Sequence, residues 1–337
     1  MSTAAELEQL AEELEPREGM RRDVPGASPT RIALRRLRSD KVAVVSAAVV
    51  TLLVLLAFLA PAITSLMGIY PTTTAPDAPL PSEVLDYDGY PAVGPPYHPF
   101  TWEHPLGLAP QTGVDNLARL LHGLRTSLGV AAAATVLSTV IGVCVGLVGG
   151  FAHGWLDRVI SFVIDLFLSF PFILGALALA PVVVSRFSTD PEALARAQVV
   201  ALIAVLVLFG WMGLARLIRG QVVSLREREF IQAAVVIGMP TRRILFKELL
   251  PNLVAPIVVA VSLALPAYVA AEAGLSYLGI GLTGVPSLGQ TINEAISFFR
   301  EYPLYLWAPV VTVMVLVLAL NLLGDAVRDA FDPRSRR

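Results

Sequence analysis

Residues 229–252 read EFIQAAVVIGMPTRRILFKELLPN and lie between two strongly apolar segments. This insert carries a concentrated set of charged side chains, namely Arg242, Arg243, Lys247 and Glu248. Because charged groups are costly inside a lipid bilayer, the insert has to face water. The chain is therefore expected to leave the membrane here and to return through the apolar segment that follows.

The order of residue types inside this insert predicts a helix–turn–helix. Residues 229–237 form a favourable helical run, and Gly238 can take the left-handed conformation that ends a helix. Pro240 prevents the helix from continuing. Thr241 is expected to cap the next short helix, and Pro251 suits the start of another, because its missing N–H would be unpaired there in any case. A turn of this kind, exposed to water, favours docking on a partner.

The composition is that of a membrane protein. Of the 337 residues, 55% are hydrophobic and only 15% are charged, and the mean hydropathy is +0.68. Soluble domains are much less apolar. The net charge of −2 gives no strong field that would favour nucleic acid. The single cysteine, Cys144, lies within an apolar run and is interpreted as a packing residue.

Six apolar segments are long enough to cross a bilayer as helices, which takes about 20 residues each. They are 42–67, 125–150, 156–184, 198–219, 252–274 and 304–326. Pro171 is expected to kink the third of them. The predicted fold is therefore an all-α polytopic membrane protein with six transmembrane helices.

The placement of Lys and Arg predicts the orientation of these helices. If the N-terminus lies inside, the inner segments hold 20 of the 25 basic residues, and such a bias is typical of the cytoplasmic side. Both termini and the insert are therefore expected in the cytoplasm. The predicted division is a cytoplasmic tail (1–40), a first transmembrane helix (41–68), an extracytoplasmic proline-rich loop (69–120), a five-helix core (121–326) that includes the insert as 220–251, and a cytoplasmic tail (327–337).

The insert resembles the EAA loop of permeases from ATP-binding cassette (ABC) importers. The residues that fall on the spacing of that loop are Ala233, Ala234, Gly238, Leu250 and Pro251. Gln232 stands where the family most often has Glu. The two alanines are expected to leave a surface poor in side chains, which lets another backbone approach closely.

The resemblance implies that the insert is a coupling helix that fits a cytoplasmic ATPase. The implied coupling residues are Glu229, Gln232, Ala233, Ala234, Gly238, Met239, Arg242, Leu250 and Pro251. The residues expected to anchor the insert to the neighbouring spans are Arg216, Arg219 and Arg226.

Further motifs are similar to those of the second permease of dipeptide, oligopeptide and nickel importers. They follow the family's order at 104–107, 272–281, 286–289 and 321–334. The resemblance implies the type I ABC-importer permease fold in the bacterial cytoplasmic membrane. It also implies a complex with a homologous second permease, two cytoplasmic ATPase subunits and an extracytoplasmic substrate-binding protein. ATP and Mg would be bound by the ATPases, and this chain would hold no cofactor.

Four residues are candidates for the translocation pathway or its gate: Asp165, Glu272, Ser276 and Tyr277. An acid within a span should face protein or water. Asp165 therefore lines a cavity, binds a proton, or simply lies near the inner interface. Glu272 contacts a substrate amine or caps a helix. Ser276 and Tyr277 belong to an aromatic and glycine-rich segment whose family likeness implies a gate.

The loop 69–120 contains ten prolines, which disfavour regular structure. Its aromatic residues include Tyr70, Tyr87, Tyr90, Tyr97 and Trp102. Two interpretations remain open: a solvated loop, or a docking surface on which the aromatic rings contact an external binding protein. Near its end, Arg119 and His122 are expected on the water-facing side of an amphipathic helix.

Motifs for catalysis are missing from the sequence. Neither Lys41 nor Lys247 follows a glycine, so no phosphate-binding Gly-Lys pair occurs. The four histidines lack metal-ligand spacing. We therefore expect a chain with no catalytic centre and no metal site. The resemblance implies that it is a non-catalytic permease subunit for di- or oligopeptides, nickel chelates or similar small solutes. A self-powered transporter would need more charges within the membrane or an inverted repeat, and a purely structural subunit would not need so elaborate an insert.

Overall fold

The computed structural model describes residues 29–73, 78–187, 191–280 and 285–331, and within these ranges the regular structure is helical. Helix α1 (Pro29–Ser39) and helix α2 (Lys41–Met67) are separated only by Asp40. The Asp40 carboxylate accepts a hydrogen bond from the Val42 N–H at 2.8 Å and so caps α2. The acidic N-terminal part of the predicted tail lies outside the described residues.

The remaining helices follow in chain order. They are α3 (Pro81–Val84), α4 (Asn116–Phe151), α5 (Trp155–Ser169), α6 (Phe172–Phe187), α7 (Pro191–Leu208), α8 (Met212–Arg226), α9 (Glu229–Val236), α10 (Thr241–Arg243), α11 (Leu250–Asn252), α12 (Val254–Leu275), α13 (Leu288–Ala295) and α14 (Pro303–Phe331). Among the described residues, five helical stretches are long and apolar enough to cross a membrane, and α5 with α6 makes a sixth if the bent pair counts as one span.

Two of the spans are broken near their middles. Between α5 and α6 the chain bends by 82° at Phe170 and Pro171, which confirms the predicted kink. A second break, between α7 and α8, was not expected from the sequence. Its Phe209 ring lies 5.8 Å from the Phe170 ring and 6.1 Å from the Phe172 ring. Aromatic packing thus joins the two breaks.

The second span, α4, packs on α8 through a ridge of three glycines. A Cβ added to Gly142, Gly146 or Gly150 would come within 2.6 to 2.9 Å of atoms of α8 or of its N-cap residue Trp211. At Gly146 the obstacle includes the Ala215 carbonyl oxygen, 2.8 Å away. Because lipid tails supply no hydrophobic drive for helix pairing, such close backbone approach is the main source of attraction.

The outer loop folds back on the start of the last span. The Tyr302 ring stacks on Tyr90 with centroids 6.1 Å apart and meets the edge of Tyr97 at 5.4 Å. Ala109 and Val114 are buried in the same cluster. Part of the predicted loop is therefore ordered by packing. Between residues 78 and 115 its regular structure consists of α3 and two isolated bridges.

Several boundaries and burial states differ from the predictions. Helix α4 begins at Asn116, inside the predicted loop, and α14 continues past 326 to Phe331. Arg119 is buried instead of water-facing and pairs with Glu294 of α13. Cys144 is exposed on this chain, so it does not belong to the chain's own buried core.

We predict that Gly146→Ala lowers the free energy of unfolding by about 1–3 kcal/mol, because the added methyl overpacks the α4–α8 contact. Gly129, also in α4, is the matched control because a Cβ there meets no atom within 4 Å. Gly129→Ala should be neutral or stabilising by up to about 1 kcal/mol. The measurement is the thermal unfolding midpoint in detergent, and equal midpoints for the two variants would contradict the packing role.

Candidate functional site

The charged insert is held on a hydrophobic base. Its inner side buries apolar side chains against residues of α4 and α8. The buried members of this base cluster are Leu147, Ile218, Val222, Ile231, Ala234, Ile244, Leu245, Leu249 and Leu253. Residues 244–249 form π-helical turns that lead from α10 into α11. The insert is therefore packed as a rigid extension of the spans.

A left-handed glycine shapes the turn at the tip of the insert. Gly238 has φ of +79°. Its N–H donates a hydrogen bond to the Val235 carbonyl oxygen at 3.0 Å, and the Met239 N–H donates one to the Ala234 carbonyl oxygen at 3.0 Å. These two bonds form the Schellman pattern that ends a helix at glycine. The predicted turn is confirmed, whereas the predicted Thr241 cap is wrong, since Pro240 holds the cap position and makes no side-chain bond.

The predicted coupling residues separate into two groups. The exposed ones are Glu229, Gln232, Ala233, Gly238, Arg242 and Pro251. Ala234 is buried in the base cluster, and Met239 and Leu250 pack against it. Ala233 is therefore exposed and Ala234 packs inward, which corrects the expectation of a shared outward surface. Helical geometry separates neighbouring residues in this manner.

The most prominent outward side chains were not singled out by sequence. Val236 is 85% exposed and Ile237 is 81% exposed, immediately before the glycine turn. Apolar side chains this exposed at the tip of a water-facing insert indicate a contact surface. The signal in the sequence was the apolar Val-Val-Ile triplet at 235–237, where the first helix of the polar insert ends.

Beside this apolar tip lies an open depression of about 500 Å³. It is lined by Pro240, Arg242, Arg243, Phe246 and Lys247. Three of these five side chains are cations, and Phe246 is half exposed. An apolar tip beside a basic groove suits a protein partner with an acidic rim.

Three arginines of α8 tie the insert to neighbouring helices, as predicted. The Arg216 guanidinium pairs with Asp165 of α5. Arg219 donates from Nε and Nη2 to Asp157 Oδ1, at 3.0 and 2.7 Å.

Arg226, further along α8, joins that helix to the end of α4. It donates to the carbonyl oxygens of Gly150 and Ala152 at 3.1 and 3.3 Å. These carbonyls end α4, so the arginine satisfies groups that the helix itself leaves unpaired.

The ion pair with Arg216 fixes the position of the Asp165 side chain. Its side chain and that of Arg216 are about equally exposed, at 61% and 59%. An accessible ion pair fits the interpretation of Asp165 as an interfacial carboxylate.

Glu272 is buried within this chain, beside serines of neighbouring segments. Its Oε1 accepts a hydrogen bond from Ser276 Oγ at 2.8 Å, and Ser127 and Ser287 also face the carboxyl. Ser127 Oγ in turn accepts the Leu288 N–H at 3.3 Å. The cluster fastens α13 to α4 and α12. Tyr277, by contrast, is partly exposed, and its carbonyl accepts a hydrogen bond from Asn293.

Comparison with known proteins identifies the chain. Residues 138–337 match the family of binding-protein-dependent transport system inner membrane components. Residues 28–79 match the N-terminal transmembrane domain of oligopeptide transport permease C. The chain belongs to this permease family. It is an ABC-importer permease of the C type and a multi-span inner-membrane protein.

Two curated relatives align with most of this chain. The dipeptide transport system permease protein DppC of Alkalihalophilus pseudofirmus is 33% identical over 310 residues, 92% of this chain and 91% of its own. The oligopeptide transport system permease protein OppC of Mycobacterium tuberculosis is 34% identical over 313 residues, 92% of this chain and 96% of its own.

A solved structure shares the fold. It is an inward-facing MetNI methionine ABC transporter, with a TM-score of 0.51 and 22% identity over 64% of this permease and 96% of that chain. The likeness supports the type I arrangement of the spans. Permeases of this kind are non-catalytic, and hydrolysis of ATP belongs to other subunits.

We predict that Gly238→Ala destabilises the tip of the insert by about 1–2 kcal/mol, because an alanine at positive φ places its Cβ against its own backbone. No other atom lies within 4 Å of a Cβ there, so the effect is conformational alone. Gly238→Asn should cost less, since asparagine enters the left-handed region more readily. Amide hydrogen exchange across 229–251 measures the difference, and equal exchange in the two variants would argue against backbone strain.

Proposed function

We propose that this permease forms half of the translocation pathway for di- or oligopeptides, or similar small solutes, in an ATP-driven importer that depends on a binding protein. The printed names of the dipeptide and oligopeptide relatives support this class of solute. The other half of the pathway belongs to a homologous second permease. Two cytoplasmic ATPase subunits bind ATP and Mg, and an extracytoplasmic binding protein delivers the solute.

The observation that carries the proposal is the exposed apolar tip on a rigid base. Val236 and Ile237 project outward, while Ile231 and Ala234 of the same short helix are buried. A tip of this kind docks in a cleft and transmits movement, because the base cannot deform independently of α4 and α8. We infer that the ATPase receives the tip and that the basic groove beside it meets acidic residues on the cleft rim.

The coupling residues divide by role in this proposal. Direct contact falls to Glu229, Gln232, Ala233, Arg242 and the apolar tip. Ala234, Met239 and Leu250 hold the insert in position, and Gly238 sets the angle of the turn. Closure of the ATPases would then push the insert, and the arginines of α8 would carry that push to α5 and to the end of α4.

The orientation follows from the same assignment. With the insert in the cytoplasm, both termini also lie in the cytoplasm, in agreement with the bias of Lys and Arg. The outer loop then faces the binding protein. Its exposed rings support a docking surface, since Tyr87 is fully exposed, Trp102 is 82% exposed and Tyr97 is 65% exposed.

We predict that the double variant Val236→Ser with Ile237→Ser binds the ATPase subunits about tenfold more weakly or worse, because two apolar side chains no longer leave water on docking. Insertion into the membrane should be unchanged, since both side chains are exposed in the chain itself. The measurement is co-purification of the ATPases, together with ATP-driven peptide uptake in liposomes.

Leu80→Ser provides the matched control for this variant. Leu80 is a comparably exposed apolar residue, at 62%, but lies in the outer loop. It should leave ATPase binding intact. Normal co-purification of the double variant would refute the assignment of the tip as the coupling surface.

A further inference from the structure

A cavity of about 160 Å³ lies between α4, α8 and α12. Its walls combine hydroxyl side chains, glycines and aliphatic side chains. The residues on which the argument rests are Ser138, Thr139, Gly210, Gly213, Leu214 and Tyr268. We call this space the mid-span cavity. It does not include Asp165, Glu272, Ser276 or Tyr277, the residues that the sequence favoured for the pathway.

The mid-span cavity lies close to the centre of the membrane. Ser138 falls near the middle of the 36-residue helix α4. Gly210 lies at the break between α7 and α8, halfway along the fourth span. Tyr268 is near the middle of the stretch Val254–Ile280. Three spans thus contribute their central residues to one space.

The broken backbone at Gly210 explains why a cavity is found here. Irregular backbone within a membrane persists only where protein buries it or where it lines a water-filled space. The Tyr268 phenol crosses this break so closely that a Cβ on Gly210 would lie 1.9 Å from its oxygen. Glycine is therefore required for the phenol to reach the cavity wall.

The wall offers hydrogen bonds but no charge. Ser138 is only 4% exposed, and its Oγ makes no hydrogen bond of regular geometry within the described chain, although the Tyr268 phenol faces it. A hydroxyl both donates and accepts, so it can pair with either an N–H or a C=O group. None of the residues that line the cavity is charged. Such a wall suits uncharged polar groups.

We propose that the mid-span cavity is where this subunit contacts the solute in transit, through its amide groups. This inference rests on the peptide importer function proposed above. Hydroxyls that accept any amide would treat peptides of different sequence alike, and the lack of charge would let each one leave. The cavity is smaller than a site that encloses a whole ligand, typically about 300–1,000 Å³, as expected if the second permease supplies the facing wall.

Cysteine labelling tests the cavity without assuming any solute. A Cβ at Gly213 meets no atom within 4 Å, so Gly213→Cys fits the structure. Cys144 is exposed and is first replaced by serine. Gly129→Cys is the control, because Gly129 is equally uncrowded but lies nine residues before Ser138, on the opposite side of α4.

The complete complex in liposomes is treated with a water-soluble methanethiosulfonate, with and without ATP. A thiol reacts as its thiolate, which needs water. Gly213→Cys should react at least about tenfold faster than Gly129→Cys in one of the two states, because Gly213 lines the cavity and Gly129 does not. Equal rates for the two positions in both states would overturn the proposal.

Transport gives the second readout, with labelled trialanine as the probe. Gly213→Leu fills the cavity and should reduce uptake about tenfold or more, since each buried methylene excludes solute volume. Tyr268→Phe removes one hydroxyl and should reduce uptake about three- to tenfold. Co-purification with the second permease and the ATPases shows that each variant has assembled.

The two proposals can fail separately. If the wild type takes up trialanine and assembled Gly213→Leu takes it up equally fast, the proposed role of the cavity is overturned. The importer function then still stands. No uptake by the wild type would contradict the peptide function, while the labelling rates would still decide whether the cavity opens to water.

Discussion

Close packing of α4 against α8 is the constraint on which the rest of this permease depends. Lipid does not drive two apolar helices together, so their attraction comes from backbone approach across Gly142, Gly146 and Gly150. The contact between α4 and α8 continues beyond these glycines. Arg226 of α8 caps the final carbonyls of α4, and Arg219 fastens the next helix through Asp157.

The charged insert extends this contact between α4 and α8. Its base cluster contains Leu147 from α4 together with Ile218 and Val222 from α8. A displacement of the insert must therefore move both helices, because a close-packed interface does not deform gradually. The mid-span cavity borders the same pair of helices, with Ser138 on α4 and Gly213 on α8. One helix pair thus connects the proposed coupling surface to the proposed contact site for the solute.

Buried polar groups order the opposite half of the molecule. Glu272 and its serines hold α13, and Arg119 pairs with Glu294, which also accepts a hydrogen bond from Tyr305. Asp115 caps α4 and accepts a hydrogen bond from His104 at 2.8 Å. A polar group buried without a partner costs free energy, so each group is held at a fixed position. These contacts define where the outer segments rest on the spans.

The sequence by itself determined the helical membrane fold, the six apolar spans, the kink at Pro171 and the turn at Gly238. Each of these depends on local composition or on one residue's backbone preference, which neighbours in the chain specify. Tertiary structure alone decided that Arg119 and Glu272 are buried, that Asp165 pairs with Arg216, and that the fourth span breaks at Gly210. Burial and pairing depend on which distant helix faces a side chain, and hydrophobic periodicity does not identify that helix. Helical geometry by itself predicts that Ala233 and Ala234 point in different directions, but only the base cluster shows which of the two faces inward.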